Sequence, residues 1–214
     1  FLFKKPFYGA VVNMSNSLLP VDISTKVASL YEAMEAEYDV VARELSFSCT
    51  DCADNCCDSY FQHHTYTEWA YLWEGLMLLS EDARAEIVTR AAEYDAKAKE
   101  ALAQDERPQV MCPLCDAGRC TAYKHRLLIC RLHGVPSGMT RPDGHLFTFP
   151  GCFRCQEITG DTEDVPRMDR TRFFQEFIQL EMEWLGVKRH ILPKVKLTIA
   201  EMILKGAPDF SYCK

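Results

Sequence analysis

The sequence predicts a mainly α-helical fold in which helices surround an irregular, cysteine-rich metal-binding region. Apolar residues recur every three or four positions on both sides of residues 106–165, which is typical of amphipathic helices. That middle region holds six of the eleven cysteines, six of the ten glycines and five of the ten prolines. The sequence therefore predicts mostly loop there, with one or two helical turns in R-C-T-A-Y-K-H-R-L-L-I-C-R. Such a region buries little apolar surface, so bound metal is expected to stabilise it.

The chain of 214 residues and 24.5 kDa is long enough for one well-buried core. Met14 is a candidate for the natural start, and residues 1–13 are interpreted as a leader or disordered extension. Residues 14–214 are expected to form a single domain. Within it, the cysteine core spans residues 47–155 and the C-terminal helices span residues 166–206.

Charge and hydropathy limit the partners of the chain. The formal charge is −7, from 31 acidic and 24 basic residues, so the protein has no general attraction to phosphate and no nucleic-acid partner is predicted. The apolar runs are shorter than the roughly 18 residues of a membrane span, and no membrane association is predicted. The expected partners are a metal ion or cluster and, in one interpretation, another protein.

Three helices are predicted before the middle region. One runs from Val21 to Leu45, with Asp22 or Ser24 as its N-cap. Thr65 and Glu68 have the spacing of a capping box and open the second helix, and Ser80 opens the third, which continues to about Gln104.

Two more helices are predicted after the middle region. Apolar residues from Phe173 to Leu185 form a wide face that ends at Gly186. A last helix covers about Lys196 to Lys205 and ends at Gly206.

The cysteines are grouped in metal-ligand patterns. The spacing C-x2-C occurs in S-C-T-D-C, M-C-P-L-C and G-C-F-R-C, and it allows two thiolates on one tight turn to reach the same ion. An odd number of cysteines and a vicinal pair would be awkward in a secreted, disulfide-bonded chain. Reduced, metal-bound thiols in the cytoplasm are therefore expected.

Thiolate is a soft ligand that favours zinc, Cu(I) and iron–sulfur clusters over magnesium or calcium. The spacing alone does not separate zinc from a 4Fe-4S cluster. Side chains of the neighbouring residues Cys56 and Cys57 generally point apart, so the first cysteine run is expected to serve two metal positions or one polynuclear centre. The alternative for Cys57 is a buried thiol without a metal.

Two groupings of the later cysteines compete. In the first, Cys112 and Cys115 join Cys152 and Cys155 in a zinc-ribbon site. In the second, the ligands are Cys112, Cys120, Cys130 and Cys152, while Cys115 and Cys155 are accessory.

The segment F-S-C-T-D-C-A-D-N-C-C, followed by C-P-L-C-D-A-G-R-C-T-A-Y-K-H-R-L-L-I-C-R-L-H-G and P-G-C, resembles the CxxCxxCC (YkgJ-type) family of zinc- or iron-chelating domains. The resemblance covers about residues 47–155. It implies eight metal ligands: Cys49, Cys52, Cys56, Cys57, Cys112, Cys120, Cys130 and Cys152. Here three residues rather than two precede the vicinal pair, and Cys115 stands where the family usually has an aliphatic residue. The match favours the second grouping.

Other residues near the cysteines are secondary candidates. His133, three residues after Cys130, is the best candidate for a ninth or replacement ligand, and its alternative is a loop histidine. His63 and His64 follow the first cysteine run. The arginines of the region could offset thiolate charge, bind an anion or simply pair with surface acids; they are Arg126, Arg131, Arg141 and Arg154. Cys213 is interpreted as a tail thiol.

The predicted function is that of a cysteine-ligated metal-binding protein that holds zinc or an iron–sulfur cluster, with a redox or metal-handling role as one use. An alternative follows from the resemblance, because flagellin lysine methylases carry a similar cysteine motif and imply iron–sulfur-dependent methyl transfer. Little sequence remains outside the motif to house a substrate. A third interpretation is a metal-stapled protein-interaction module. The chain has no nucleotide-binding or hydrolase motif.

Overall fold

The computed structural model describes residues 18–49, 56–160, 162 and 164–210, with the backbone alone at Cys56. The predictions for residues 1–13, for Cys52, for the Cys56 side chain and for Cys213 lie outside these residues. The described part is mainly α-helical with small sheets, which confirms the predicted fold class at that level. None of its helices is both long and apolar enough to span a membrane.

The described residues form seven α-helices and five short strands. The helices are α1 (Val21–Glu44), α2 (Tyr66–Met77), α3 (Glu81–Ala103), α4 (Leu128–Leu132), α5 (Phe153–Thr159), α6 (Thr171–Leu185) and α7 (Ile199–Lys205). The strands are β1 (Cys115–Asp116), β2 (Arg119–Cys120), β3 (Ser137–Thr140), β4 (Leu146–Phe149) and β5 (Met168–Asp169). Single 3₁₀ turns lie at Cys56–Asp58, Tyr123–His125 and Gly186–His190.

Local capping residues set two helix boundaries as predicted, since Thr65 and Ser80 cap α2 and α3 with their hydroxyl groups. The last helix begins later than the predicted start at about Lys196, because Thr198 forms a full capping box with Glu201 at the start of α7. The predicted cap of α1 is wrong, because Pro20 precedes the helix. Ser24 lies inside α1 and donates instead to the Glu74 carboxylate of α2 at 2.7 Å.

Two hydrophobic clusters form the interior. In the first, α1 packs against α4 and α6 through residues such as Met34, Leu132 and Phe173, all at most 1% exposed. In the second, α3 packs against α7, and α2 contributes apolar residues such as Leu72 and Leu76. The cysteine-rich region runs between these clusters, since Leu127 belongs to the second and Leu128 to the first.

The region predicted as mostly loop contains more regular structure than expected. Strand β3 is central in a small sheet, antiparallel to β4 and parallel to β5. Strands β1 and β2 form a hairpin whose two loop residues, Ala117 and Gly118, have φ values of 45° and 79°. Positive φ at both central positions is typical of a type I′ turn. These strands have two to four residues, so alternation of apolar residues could not reveal them.

A buried carboxylate completes the start of α2, and its removal gives the first prediction. Glu181 of α6 accepts hydrogen bonds from the backbone N–H groups of Tyr66 and Thr67 at 2.9 and 2.8 Å, and from the Thr67 hydroxyl. Replacing Glu181 by Gln removes the charge at the helix N-terminus and places an amide against N–H donors. We expect the free energy of unfolding to fall by about 2 kcal/mol in chemical denaturation.

The control for this prediction lies on the same helix. Glu183 is half exposed and contacts the exposed Lys26, so Glu183→Gln is expected to leave stability unchanged. Equal denaturation midpoints for the two variants would show that the Glu181 carboxylate does not hold α2.

Candidate metal centre

A cavity of about 880 Å³ lies between α1, α3, α7 and the cysteine-rich region. Among the described residues, six cysteines line it: Cys49, Cys57, Cys112, Cys115, Cys120 and Cys130. They come from four separate stretches of the chain, namely the loop after α1, the following 3₁₀ turn, the β1–β2 hairpin with the turn before it, and α4. Cysteines far apart in the sequence therefore face a common space.

The hairpin and its preceding turn place three of these cysteines together. The M-C-P-L-C segment forms a tight turn in which the Cys115 N–H donates to the Cys112 carbonyl at 2.9 Å. Across the hairpin, Cys115 pairs directly with Cys120. The Cys112 N–H also donates to the Cys57 carbonyl at 2.8 Å, which joins the first cysteine run to the second.

Two sulfurs of this group accept backbone hydrogen bonds. The Leu114 N–H donates to the Cys112 sulfur, and the Ala122 N–H donates to the Cys120 sulfur. Donation to sulfur favours the thiolate, and it tunes the sulfur ligands of metal centres. Burial nevertheless dominates, and it raises the pKa of Cys112 to about 12 and also raises the pKa of Cys120. A bound cation would have to displace these protons.

Cys130 joins the group from α4. Burial raises the pKa of the Cys130 thiol well above its usual range, and the nearby thiols of Cys112 and Cys120 and the Glu68 carboxylate raise it further. Each of these groups disfavours a negative charge on its neighbours. The three thiols are thus close enough to influence one another's ionisation.

Cys152 and Cys155 lie outside the lining of this cavity. Burial raises the pKa of Cys155 to about 11, with further contributions from Cys152 and Cys49. Cys49 lines the cavity and also influences Cys155, so it connects the two groups. Seven of the eight cysteines with described side chains thus fall into two groups. Five lie around the hairpin and α4, while Cys152 and Cys155 form the second group, and Cys49 relates to both.

The P-G-C sequence before α5 has a steric reason. Gly151 has a φ of 89°, and a Cβ there would lie 2.5 Å from the Gly134 carbonyl oxygen. The same carbonyl accepts the Cys152 N–H at 2.8 Å. Glycine at position 151 thus allows the close approach that fixes Cys152.

Two of the four predicted arginines line the cavity. Arg126 and Arg131 both contact Glu35 of α1, and both lower the pKa of Cys120 against the effect of burial. Arg141 and Arg154 are not among the lining residues. Arg141 lies on the β3–β4 turn, 3.7 Å from Asp143 and over the Phe147 ring.

Two histidines line the cavity, and the sequence reasoning favoured only one. His133 is half-buried, with its ring 5.5 Å from that of Phe61. His63 is only 3% exposed, and its Nδ1 lies 3.3 Å from the Glu68 carboxylate. His64, in contrast, is exposed and lies 3.3 Å from the Val195 carbonyl. In the sequence, His63 precedes Glu68 by five residues, but this spacing alone does not place the carboxylate beside the imidazole.

The chemistry of this donor set fits a thiophilic metal. Sulfur atoms, imidazole nitrogen and nearby guanidinium groups suit zinc or an iron–sulfur cluster better than magnesium or calcium. The side chains line the cavity walls. Within the described residues, no group of three or more His, Cys, Asp or Glu side chains is close enough to hold a metal ion.

Comparisons with known proteins add no further identification. No family model matches the chain, and no curated protein and no solved structure matches it.

Proposed function

We propose that this protein binds zinc or an iron–sulfur cluster through cysteine thiolates in the cavity between its two hydrophobic clusters. One observation carries the proposal. In the described part of the chain, six cysteines from four stretches line the same cavity. Thiols without a metal have no structural need to converge in this way, whereas a thiophilic metal requires it.

The thiols of Cys112, Cys120 and Cys130 influence one another's pKa, and Cys57 and Cys115 line the same cavity. All but Cys115 are also ligands that the CxxCxxCC resemblance implies. Cys49 and Cys152 complete the implied set among the described side chains, and they lie toward Cys155. This division supports two metal positions or one polynuclear centre.

The arginines support the same proposal through charge. Four thiolates leave a net charge of −2 on a Zn²⁺ ion, and a buried negative centre needs compensation. Arg126 and Arg131 line the cavity and are held there by Glu35. A zinc ion would stabilise the surrounding loops, and an iron–sulfur cluster would add electron transfer.

Metal analysis of protein purified without oxygen tests the proposal and separates the two metals. A brown preparation with acid-labile sulfide identifies an iron–sulfur cluster, and a colourless preparation with stoichiometric zinc identifies a zinc site. We expect Cys112→Ser and Cys130→Ser each to weaken metal binding by at least about 100-fold, because even the loss of an outer partner costs about 10–100-fold.

The matched control is Cys213→Ser, which removes a thiol outside the predicted ligand set. It is expected to keep the full metal content. A folded wild-type protein that contains neither zinc nor iron after anaerobic purification, and takes up neither in vitro, would refute the proposed function.

A further inference from the structure

The backbone of His63 is fixed from both sides. Its N–H donates to the Leu197 carbonyl at 2.7 Å, and the Leu197 N–H donates back to the His63 carbonyl at 3.1 Å. This isolated bridge ties the segment before α2 to the segment before α7. Main-chain bonds thus fix the backbone of His63, which is one of the residues that line the cysteine-lined cavity.

Glu68 fixes the orientation of the ring. Its carboxylate contacts His63 Nδ1 at 3.3 Å, accepts from the Thr65 hydroxyl at 2.9 Å and accepts from the Leu128 N–H at 3.0 Å. Each oxygen of the Glu68 carboxylate therefore accepts a hydrogen bond from a donor other than the imidazole. Glu68 thus acts as a hydrogen-bond acceptor toward the groups around it.

The tautomer of His63 follows from this contact. With the Glu68 carboxylate as the acceptor of this contact, the hydrogen lies on Nδ1. In the neutral ring, Nε2 then carries a free lone pair. Nε2 is buried, and among the described residues it has no hydrogen-bond partner. A buried polar atom without a partner is costly and needs an explanation.

We infer that His63 Nε2 is a nitrogen ligand of the metal held by the cysteines, with Glu68 as its positioning residue. The inference rests on the proposed function. A carboxylate on the far nitrogen of an imidazole is the usual way in which proteins orient a metal-binding histidine. The cavity that His63 lines is also lined by Cys57, Cys112 and Cys130.

A second contact of Glu68, with the first residue of α4, also supports the inference. Leu128 is the first residue of α4, the helix that carries Cys130. One carboxylate oxygen of Glu68 therefore contacts both the His63 ring and the start of the Cys130 helix. A ligand set of sulfur and nitrogen differs from thiolates alone in two ways. Neutral imidazole reduces the negative charge of a zinc–thiolate site, and it raises the reduction potential of an iron–sulfur cluster.

The test measures nitrogen coordination directly. X-ray absorption serves for a zinc site, and pulsed electron paramagnetic resonance of the reduced protein serves for a cluster. Wild-type protein and His64→Asn are expected to show one imidazole nitrogen on the metal. His63→Asn retains an amide near the position of Nδ1 but removes Nε2, so the nitrogen signal should disappear and metal affinity should fall at least 10-fold.

Two further variants separate coordination from structure. Glu68→Gln should weaken metal binding by about 10–100-fold while the nitrogen signal remains, as expected for a positioning residue. His63→Cys supplies a new thiolate, so it should hold metal near wild-type affinity with sulfur-only coordination. If His63→Asn fails to fold, the coordination measured in His63→Cys still shows whether His63 supplies the nitrogen ligand.

The outcomes distinguish the two proposals. Wild-type protein that binds metal through sulfur alone overturns the inference and leaves the proposed function standing. A nitrogen signal that persists in His63→Cys and disappears in His133→Asn assigns the ligand to His133 and also overturns it. Wild-type protein that binds no metal refutes the proposed function itself.

Discussion

A stringent chelator is expected to lower the melting temperature of the wild-type protein by at least about 20 °C. Structural zinc contributes roughly 10 kcal/mol or more to folding, and each kcal/mol shifts the melting temperature of a chain of this size by about 2–4 °C. The physical reason lies in the cysteine-rich region. Its strands have two to four residues and its helices five and seven, and the cysteines line a cavity of about 880 Å³ between two clusters.

Melting curves followed by circular dichroism, with and without chelator, measure this effect. The double variant Cys112→Ser with Cys130→Ser should melt at the temperature of the chelated wild-type protein, and chelator should lower it no further. Returning the original metal or cluster to the chelated wild-type protein should restore its melting curve. An unchanged melting curve in chelator, with every thiol free or in a disulfide, would contradict the proposed role of the metal in folding.

The helices could be predicted from the sequence because their signals are local. Each long helix combines an apolar period with a capping residue a few positions away, as at Thr65, Ser80 and Gly186. The first helix shows the limit of this reasoning. Its bounds were predicted but its cap was not, because Glu74, about fifty residues away in the sequence, binds Ser24 and the Leu19 N–H.

The gathering of the cysteines could be predicted in outline, since thiol spacing reports ligand chemistry directly. The ligand roles themselves stay predictions. The sequence could not show that Cys152 and Cys155 lie outside the cavity that the other six cysteines with described side chains line. That separation depends on the packing of α5, a helix that the sequence did not reveal.

His63 could not be selected from the sequence. Proximity to Cys130 favoured His133, and the structure places both histidines in the cavity wall. What distinguishes His63 is the Glu68 carboxylate beside its Nδ1. Two tertiary contacts hold this pair in place, because the His63 backbone is hydrogen-bonded to Leu197 and the Leu128 N–H donates to Glu68. The bonded residues lie at least sixty residues apart in the sequence, beyond the reach of any local pattern.

Replacing Arg131 by Met is expected to destabilise the protein by about 3–5 kcal/mol. The Arg131 side chain is 4% exposed and forms an ion pair with Glu35. It also donates to the carbonyls of Lys124 and Arg126 at 2.7 and 2.9 Å, and its guanidinium lies 4.2 Å from the Tyr31 ring centroid. Methionine has a similar length but no donor, so the ion pair with Glu35 and both hydrogen bonds to these carbonyls would be lost.

Chemical denaturation measures the loss, and Arg172→Met is the matched control. Arg172 also pairs with a glutamate of α1, Glu37 at 2.6 Å, but it is 56% exposed, so its removal should cost less than about 1 kcal/mol. Similar unfolding free energies for the two variants would show that the buried network around Arg131 adds nothing to stability.

Arg131 also bears on the metal, because the carbonyls that it holds lie between Cys120 and Cys130. If this network sets the distance between the two thiols, metal affinity should fall in Arg131→Met and remain unchanged in Arg172→Met. An Arg131→Met protein that loses stability but binds zinc or a cluster as tightly as wild-type would restrict the arginine to a structural role. The stability and metal measurements on the same pair of variants therefore separate support of the fold from support of the site.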